Sequence, residues 1–152
     1  MKIVVDSNIV FSAILNTQSQ IGQLIIDGST FFEFYSIGLL KEEIFNHKSK
    51  IIQLTKFSEE HFSEVYHLIL SKISFVDDIL LNNNDLISAL ELVSDIDEND
   101  TLFVALSNFL DAKLWTGDRK LTLGLSRKNY KNTITTNELH EMYIQLKSKK
   151  IE

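Results

Sequence analysis

The sequence predicts an α/β fold with a mostly parallel central sheet. Short apolar segments rich in β-branched or aromatic residues alternate with longer segments whose apolar residues recur every three or four positions, which is typical of βαβ units. The first segment, Ile3-Val4-Val5, is apolar on both faces, as expected of a buried parallel strand. A chain of 152 residues can bury roughly two-thirds of its unfolded surface, and we expect residues 1–152 to form one domain.

The N-terminal half predicts two strands and several helices. Lys2 to Val5 is the first strand, and the aromatic run Phe31 to Tyr35 is the second. Ile37 to Lys50 has a helical pattern that continues through residues 51 to 54. Two helices are predicted between the strands, from apolar positions at Ile9, Val10, Phe11, Ile14 and Leu15 and then at Ile21, Leu24 and Ile25.

The C-terminal half continues the alternation. Ser58 is the expected N-cap of a helix whose first turn carries Glu59 and Glu60, where negative charge is favourable. A weak strand at Ser74 to Val76 brings the expected number of strands to four or five. The other strands are predicted at Ala112 to Trp115 and near Thr133 to Thr135. The predicted helical faces are Phe62, Val65, Tyr66, Ile69 and Ile73; Leu86, Ile87, Leu90 and Leu92; Phe103, Leu106 and Leu110; and Leu139, Met142, Tyr143 and Leu146.

Composition and charge exclude several classes of protein. The chain has no Cys, which removes thiolate zinc sites and cysteine nucleophiles. Its formal charge of −6 argues against a protein that coats nucleic acid through a bulk positive field, although bound divalent ions would reverse the sign locally. Asp6 interrupts the first apolar run too early for a signal peptide, and no stretch approaches the roughly 20 residues of a membrane span. We therefore expect a cytoplasmic protein.

Acidic residues lie at the ends of the apolar segments. Asp6 directly follows the first strand, and Asp118 follows Leu114-Trp115-Thr116-Gly117. Asp97 and Asp100 lie one turn apart where a helix begins. Because the ligand crevice of an open parallel sheet lies beyond the carboxyl ends of its strands, these acids can converge. Converging carboxylates raise one another's pKa unless a cation lies among them, so the pattern predicts a metal site.

Each acid also has a purely structural explanation. Asp6 can cap the helix that follows the first strand, and residues 116 to 118 can form an ordinary strand-to-helix turn. Asp97 can be the N-cap of its helix, with Asp100 at the third position of a capping-box-like start. Capping accounts less well for the crowding of four acids between residues 95 and 100, where like charges repel. The combination of the acids favours a metal site.

A helical segment offers a further carboxylate in Glu42 or Glu43, and their adjacency leaves open which of the two faces the site. Glu43 and His47 are four residues apart and share a helix face, for which an exposed pair is the simpler interpretation. The remaining histidines show no ligand spacing, so zinc is poorly supported. An all-oxygen ligand set indicates Mg²⁺ or Mn²⁺.

Polar and basic residues beside the acids are candidate contacts for ligand or substrate. Asn8 can orient a ligand water or a phosphate oxygen, and Thr116 supplies a hydroxyl near the same edge. Arg119 and Lys120 begin a basic run after Asp118 that could follow a phosphate backbone. For any single residue of the run, a solvated surface is the simpler explanation.

The order of these motifs resembles the PIN domain, a metal-dependent nuclease family that includes the VapC-like toxins of toxin–antitoxin modules. Ile3 to Asn8 resembles the family's first-strand Asp with its following polar residue, and Glu43-Ile44 resembles its helix Glu. Asp100 to Leu106 resembles the third motif, an Asp that opens a helix with Ala five residues later. Leu114 to Asp118 resembles the fourth, a strand that ends in Thr, one residue and Asp. The resemblance covers nearly the whole chain.

The resemblance implies a three-layer α/β/α sandwich with four to five strands and an endoribonuclease that depends on Mg²⁺ or Mn²⁺. Its implied catalytic and metal-binding acids are Asp6, Glu43, Asp100 and Asp118, with Asp97 as an extra metal ligand, Glu42 as the alternative to Glu43, and Ser7 and Thr116 as hydrogen-bonding support. RNA is the implied substrate. The family also implies the toxin of a type II toxin–antitoxin module, with an antitoxin protein or a second copy of the chain as candidate partners and no membrane.

Other functions are weighed against this hypothesis. A catalytically silent PIN-like module that binds RNA or a protein stays open, although it would not need all four acids. A phosphatase of the haloacid-dehalogenase type uses a second Asp two residues after the first, where this chain has Asn8. Dinucleotide-binding enzymes and P-loop enzymes need Gly-rich turns that this sequence lacks.

Overall fold

A computed structural model of the chain describes residues 1–151, which form five strands and nine α-helices. The strands are β1 (Lys2–Val5), β2 (Glu33–Ile37), β3 (Ile73–Val76), β4 (Lys113–Trp115) and β5 (Thr133–Ile134). The helices are α1 (Ser7–Leu15), α2 (Gln20–Gly28), α3 (Leu39–Asn46), α4 (Lys48–Thr55), α5 (Glu59–Ser71), α6 (Asn83–Val93), α7 (Thr101–Leu110), α8 (Arg119–Arg127) and α9 (Thr136–Ile151). Two short 3-10 turns cover Asp78–Leu80 and Glu98–Asp100.

The five strands form one sheet in the order β3-β2-β1-β4-β5, and every neighbouring pair is parallel. The α/β prediction is thus confirmed, with a sheet that is entirely parallel. The chain moves outward through β2 and β3 on one side of β1 and through β4 and β5 on the other. The carboxyl ends of β1 and β4 therefore flank the topological switch point, where open α/β sheets bind ligands. Val5 is paired with Trp115 in register, so Asp6 and Thr116 leave the sheet side by side.

Helices cover both faces of the sheet, as the three-layer prediction requires. On one face, α7 packs against β1, β2 and β4 and also against α6, which contacts α8. The other layer contains α1, which contacts α2 to α5, and α9, which packs on α2. The central strand lies between these layers, and its residues Ile3, Val4 and Val5 are fully buried. Burial on both faces explains why β1 is apolar without alternation.

Strand β2 begins two residues later than the aromatic run predicts. The backbone N–H groups of Phe31 and Phe32 both donate to the carbonyl oxygen of Gly28, at 2.9 Å, and so close the turn after α2. Phe32 is buried although it precedes the strand. Aromatic content therefore located the buried segment correctly, but it placed the start of the strand that pairs in the sheet two residues too early.

The continuous helix predicted from Ile37 to Lys50 is wrong in two places. Ile37 pairs with Val76 in the sheet and ends β2. At His47 the backbone angles are φ −96° and ψ 9°, and this residue separates α3 from α4. Ile73, which the pattern places on the apolar face of α5, is instead the first residue of β3 and pairs with Phe34 of β2. Gly38, directly after Ile37, could have indicated the end of β2, whereas the sequence has no Gly or Pro at His47 or Ile73 to mark the other boundaries.

No helix within residues 1–151 is long and apolar enough to cross a membrane alone. Together, α1 and α2 have the length and apolar composition of a membrane span, but the chain bends by 102° between them. Both helices contribute buried residues to the core, including Val10, Ile14 and Ile25.

Gly22 lies where α2 approaches the preceding loop, and we expect Gly22→Ala to destabilise the protein by about 1–3 kcal/mol. A Cβ there would lie 2.5 Å from the backbone oxygen of Thr17 and 2.8 Å from that of Asn16. Thermal unfolding followed by circular dichroism measures the effect. The control is Gly38→Ala, whose Cβ would meet only the Val76 carbonyl oxygen at 3.8 Å. Equal losses in both variants would contradict the steric explanation.

Candidate metal centre

Asp6 leaves the carboxyl end of β1 and is only 4% exposed. Its Oδ1 accepts a hydrogen bond of 2.9 Å from the backbone N–H of Ile9 and so caps α1. Burial raises the pKa of Asp6, the charge of Asp118 raises it further, and hydrogen bonds from Thr116 and Ile9 oppose the rise. Asp6 therefore has the predicted capping role. The same buried carboxylate also lies close to a second acid, Asp118.

Asp118 reaches the same edge from β4. Its backbone N–H donates to Thr116 Oγ1 at 3.1 Å, and its Oδ1 accepts from the N–H of Leu121 at 3.1 Å, which caps α8. Thr116 is only 2% exposed and also bonds to Asp6. One buried hydroxyl thus links the two acids that flank the switch point.

Asp97 and Asp100 lie on the 3-10 turn before α7. Asp97 Oδ1 accepts from the backbone N–H of Asn99 at 2.9 Å, so Asp97 caps this turn and not the helix itself. Asp100 ends the turn, and α7 begins at Thr101. The predicted capping box is therefore wrong, because residues 98–100 wind more tightly than an α-helix. The tighter turn places Asp100 immediately before the first residue of α7.

Asp100 also has a strongly raised pKa. Its pKa is raised to about 7, chiefly by desolvation on burial and then by the charges of Asp97, Asp6 and Asp118, in that order. Its Oδ2 is buried and has no hydrogen-bond partner within residues 1–151. Aspartates from three separate segments are thus close enough to raise the pKa of Asp100.

The two glutamates of α3 lie on different surfaces. Glu43 is half-buried and lines a cavity of about 220 Å³ together with Ser7 and Asn8. It also lines a cavity of about 240 Å³ with Glu98 and Asn99, the residues that precede Asp100. Glu42 is exposed and faces a depression lined by the carboxyl end of β3. Glu43 is therefore the glutamate beside the aspartate group, although its charge is not among those that raise the pKa of Asp100.

Other residues predicted near the site have different positions. Arg119 and Lys120 are exposed on the first turn of α8, directly after Asp118. Asp95 is exposed and pairs with Lys128, which lowers its pKa and removes it from the acid group. Of the basic run, Arg119 and Lys120 therefore lie next to Asp118, whereas Lys128 belongs to an ion pair on the surface.

Sequence reasoning missed two side chains that line the cavity beside Ser7 and Asn8, namely Phe11 and Lys50, and it set His47 aside as part of an exposed pair with Glu43. Phe11 is one helical turn after Ser7, so helical spacing could have indicated it. The contribution of Lys50 depends on the break between α3 and α4, for which the sequence has no strong signal.

The donor set fits a hard divalent cation. Its members are carboxylates, and the buried Asp100 Oδ2 has the unsatisfied acceptor capacity that a cation would fill. Within residues 1–151, no three or more His, Asp or Glu side chains are arranged closely enough to hold a metal ion. Asp6 and Asp118 each direct one oxygen to a helix N-terminus, and mutual repulsion opposes closer approach of the carboxylates.

Comparisons with known proteins agree with this architecture. The fold is similar to the crystal structure of PAE2754 from Pyrobaculum aerophilum, with a TM-score of 0.65 over 95% of this chain and 90% of that chain. The two sequences are 16% identical, so this likeness concerns the fold alone. No curated protein matches the sequence. The sequence model of the PIN domain matches residues 4–146, and the chain therefore belongs to the PIN domain family.

Proposed function

We propose that this protein is a divalent-metal-dependent endoribonuclease that hydrolyses phosphodiester bonds of RNA. Membership of the PIN domain family supports a nuclease-like fold. The finer proposal rests on the group of aspartates at the switch point. One of their oxygens, the buried Asp100 Oδ2, has no hydrogen-bond partner within residues 1–151. Carboxylates held this close together destabilise the site unless positive charge compensates them, and such a cost suggests a retained function.

Mg²⁺ or Mn²⁺ is the proposed cofactor, held by carboxylates from the group Asp6, Glu43, Asp97, Asp100 and Asp118. These ions prefer oxygen ligands and usually leave coordination positions for water and substrate phosphate. When bound, a divalent ion activates water for attack and neutralises charge that develops on the phosphate. A histidine base is not required for this chemistry.

The remaining residues bind and orient. Thr116 and the backbone N–H of Ile9 hold Asp6 in place, and the N–H of Leu121 holds Asp118, so that each aspartate keeps capacity for a further ligand. Ser7 and Asn8 line the adjoining cavity and offer polar groups to a ligand water or phosphate oxygen. Arg119 and Lys120 lie after Asp118 and are proposed to contact the phosphate backbone.

The deciding experiment incubates purified protein with structured and single-stranded RNA in the presence of Mn²⁺, Mg²⁺ or EDTA. We expect cleavage with either metal and none with EDTA, because the acids alone provide no compensating positive charge. Gel electrophoresis of end-labelled RNA measures the products. Cleavage that persists in EDTA would contradict the metal mechanism, whereas Mn²⁺-independent RNA binding without cleavage would identify a silent binding module.

We further propose that the nuclease acts in the cytoplasm as the toxin of a type II toxin–antitoxin module, inhibited by an antitoxin protein. This part rests on the family resemblance, and a second copy of the chain is a further candidate partner. Expression of the chain alone is expected to arrest bacterial growth, whereas Asp118→Asn should not. Growth curves after induction, at matched protein levels, measure the difference. Equal growth of both cultures would contradict the toxin role and leave the nuclease proposal to the cleavage assay.

A further inference from the structure

The cavity beside the acids has a lining of mixed chemistry. Its volume is about 220 Å³, and α1 contributes Ser7, Asn8 and Phe11 to its wall. The opposite wall comes from α3 and the start of α4, through Glu43, Ile44, His47 and Lys50. Ser7 directly follows the buried Asp6, and Glu43 also borders the neighbouring cavity near Asp100. The cavity therefore adjoins the start of α1, directly after Asp6, and shares Glu43 with the neighbouring cavity.

Aromatic and cationic side chains form part of the lining of this cavity. The rings of Phe11 and His47 meet edge to face, with centroids 6.2 Å apart and planes at 89°. His47 and Lys50 are exposed, and Phe11 is partly exposed. Within residues 1–151, Lys50 makes no ion pair, whereas Lys48 on the same turn pairs with Glu59. A free ammonium group and two rings thus face a space next to a carboxylate cluster.

We propose that this cavity is a subsite for one nucleotide of the RNA, adjacent to the scissile phosphate. Lys50 pairs with the phosphate of that nucleotide, and its base packs against Phe11 and His47. The proposal rests on the ribonuclease function proposed above and adds positioning residues to it. An aromatic surface combined with a cation is how proteins hold unpaired nucleotides with little sequence preference.

The position of the subsite has a kinetic consequence. Its residues touch a nucleotide that does not react, so they hold substrate and transition state equally, and their loss should raise KM with kcat nearly unchanged. Loss of one base-stacking contact typically weakens binding about 5-fold or more. Loss of one phosphate contact should also lower the magnitude of the slope of log affinity against log salt by about 0.7 for a single strand.

The test uses the full chain with two variants and two matched controls. Phe11→Leu removes the aromatic face and keeps apolar packing, while Phe45→Leu makes the same change at a residue that is 58% exposed on α3 and outside the cavity. Lys50→Gln removes the free cation, while Lys56→Gln makes the same charge change at the exposed end of α4. Circular dichroism melting curves verify that each variant is folded.

Two readouts separate this subsite from the proposed function. Affinity for a labelled single-stranded oligoribonucleotide, measured in EDTA at several low salt concentrations, should fall for Phe11→Leu and Lys50→Gln and not for the controls. A duplex of the same sequence should not respond to Phe11→Leu. Cleavage kinetics with Mn²⁺ should show the rise in KM.

Unchanged affinity, or a fall in kcat at constant KM, would overturn the subsite even if the wild type cleaves RNA. Selective loss of affinity in a protein that never cleaves would support the subsite and overturn the ribonuclease. If Phe11→Leu fails to fold, the salt slope of Lys50→Gln decides.

Discussion

Asp118→Asn is expected to reduce metal-dependent RNA cleavage by at least about 100-fold without unfolding the protein. Loss of even an outer-shell partner of a metal ligand commonly costs roughly 10–100-fold, and Asp118 is a proposed direct ligand. The fold should survive, because the Asn side-chain oxygen can still accept from the N–H of Leu121 and cap α8. The substitution thus removes the charge and keeps the local geometry. Single-turnover cleavage rates at saturating Mn²⁺ measure the effect.

The matched control for this variant is Asp111→Asn. Asp111 is exposed at the end of α7, before β4, and therefore lies at the opposite edge of the sheet from the acids. Its φ of 50° suits Asn as well as Asp, so the control should retain its fold and its cleavage rate. Isothermal titration with Mn²⁺ should show binding for wild type and Asp111→Asn only. Full cleavage by Asp118→Asn would refute the proposed metal ligand set.

Asp100→Asn is expected to stabilise the metal-free protein above pH 7. The folded state holds the Asp100 proton more tightly than the unfolded chain does, because the pKa rises from 3.8 to about 7. The free energy of unfolding therefore falls as pH increases through this interval, and the loss is complete above pH 7. Since Asp100 is only half-buried, solvent screening reduces the effect to about 1–2 kcal/mol. The melting temperature of the variant should exceed that of the wild type by roughly 2–8 °C.

The same pair of proteins should reverse its order when metal is added. At pH 5 in EDTA the difference between the two melting temperatures should be only about a third of its value at pH 8, because the loss of stability begins at the unfolded pKa of 3.8 and is complete only above pH 7. At pH 8 with Mn²⁺ at about 100 times its Kd, the wild type should gain about 2.7 kcal/mol while the variant gains little. Differential scanning calorimetry at both pH values measures these differences. A pH-independent difference in EDTA would show that Asp100 is not the titrating group.

Much of the fold was predictable because the residue types of its central strand match the environment of that strand. Ile3, Val4 and Val5 are β-branched, consecutive and fully buried, so local preference and tertiary environment agree at β1. The prediction failed where a boundary depends on hydrogen bonds made across the structure. Ile37 belongs to β2 because Val76 pairs with it, and Phe31 is excluded because Gly28 accepts its N–H. Side-chain preference carries no information about either partner.

The candidate site divides in a similar way. By itself, the sequence determined the chemical nature of the site: carboxylates at Asp6, Asp100 and Asp118, no thiolate and no histidine pattern for zinc. It also determined the parallel α/β architecture, since periodicity and residue type are local properties.

Only the tertiary structure decided which groups meet. The choice of Glu43 over Glu42 depends on the face that α3 turns toward α1 and the 3-10 turn. The exclusion of Asp95 depends on Lys128, which lies 33 residues away in sequence. The raised pKa of Asp100 arises from burial, from the neighbouring Asp97 and from the charges of Asp6 and Asp118 on two other segments, and the strand order brings those two segments close. Desolvation and Coulomb energies depend on separations in space, which sequence position does not specify.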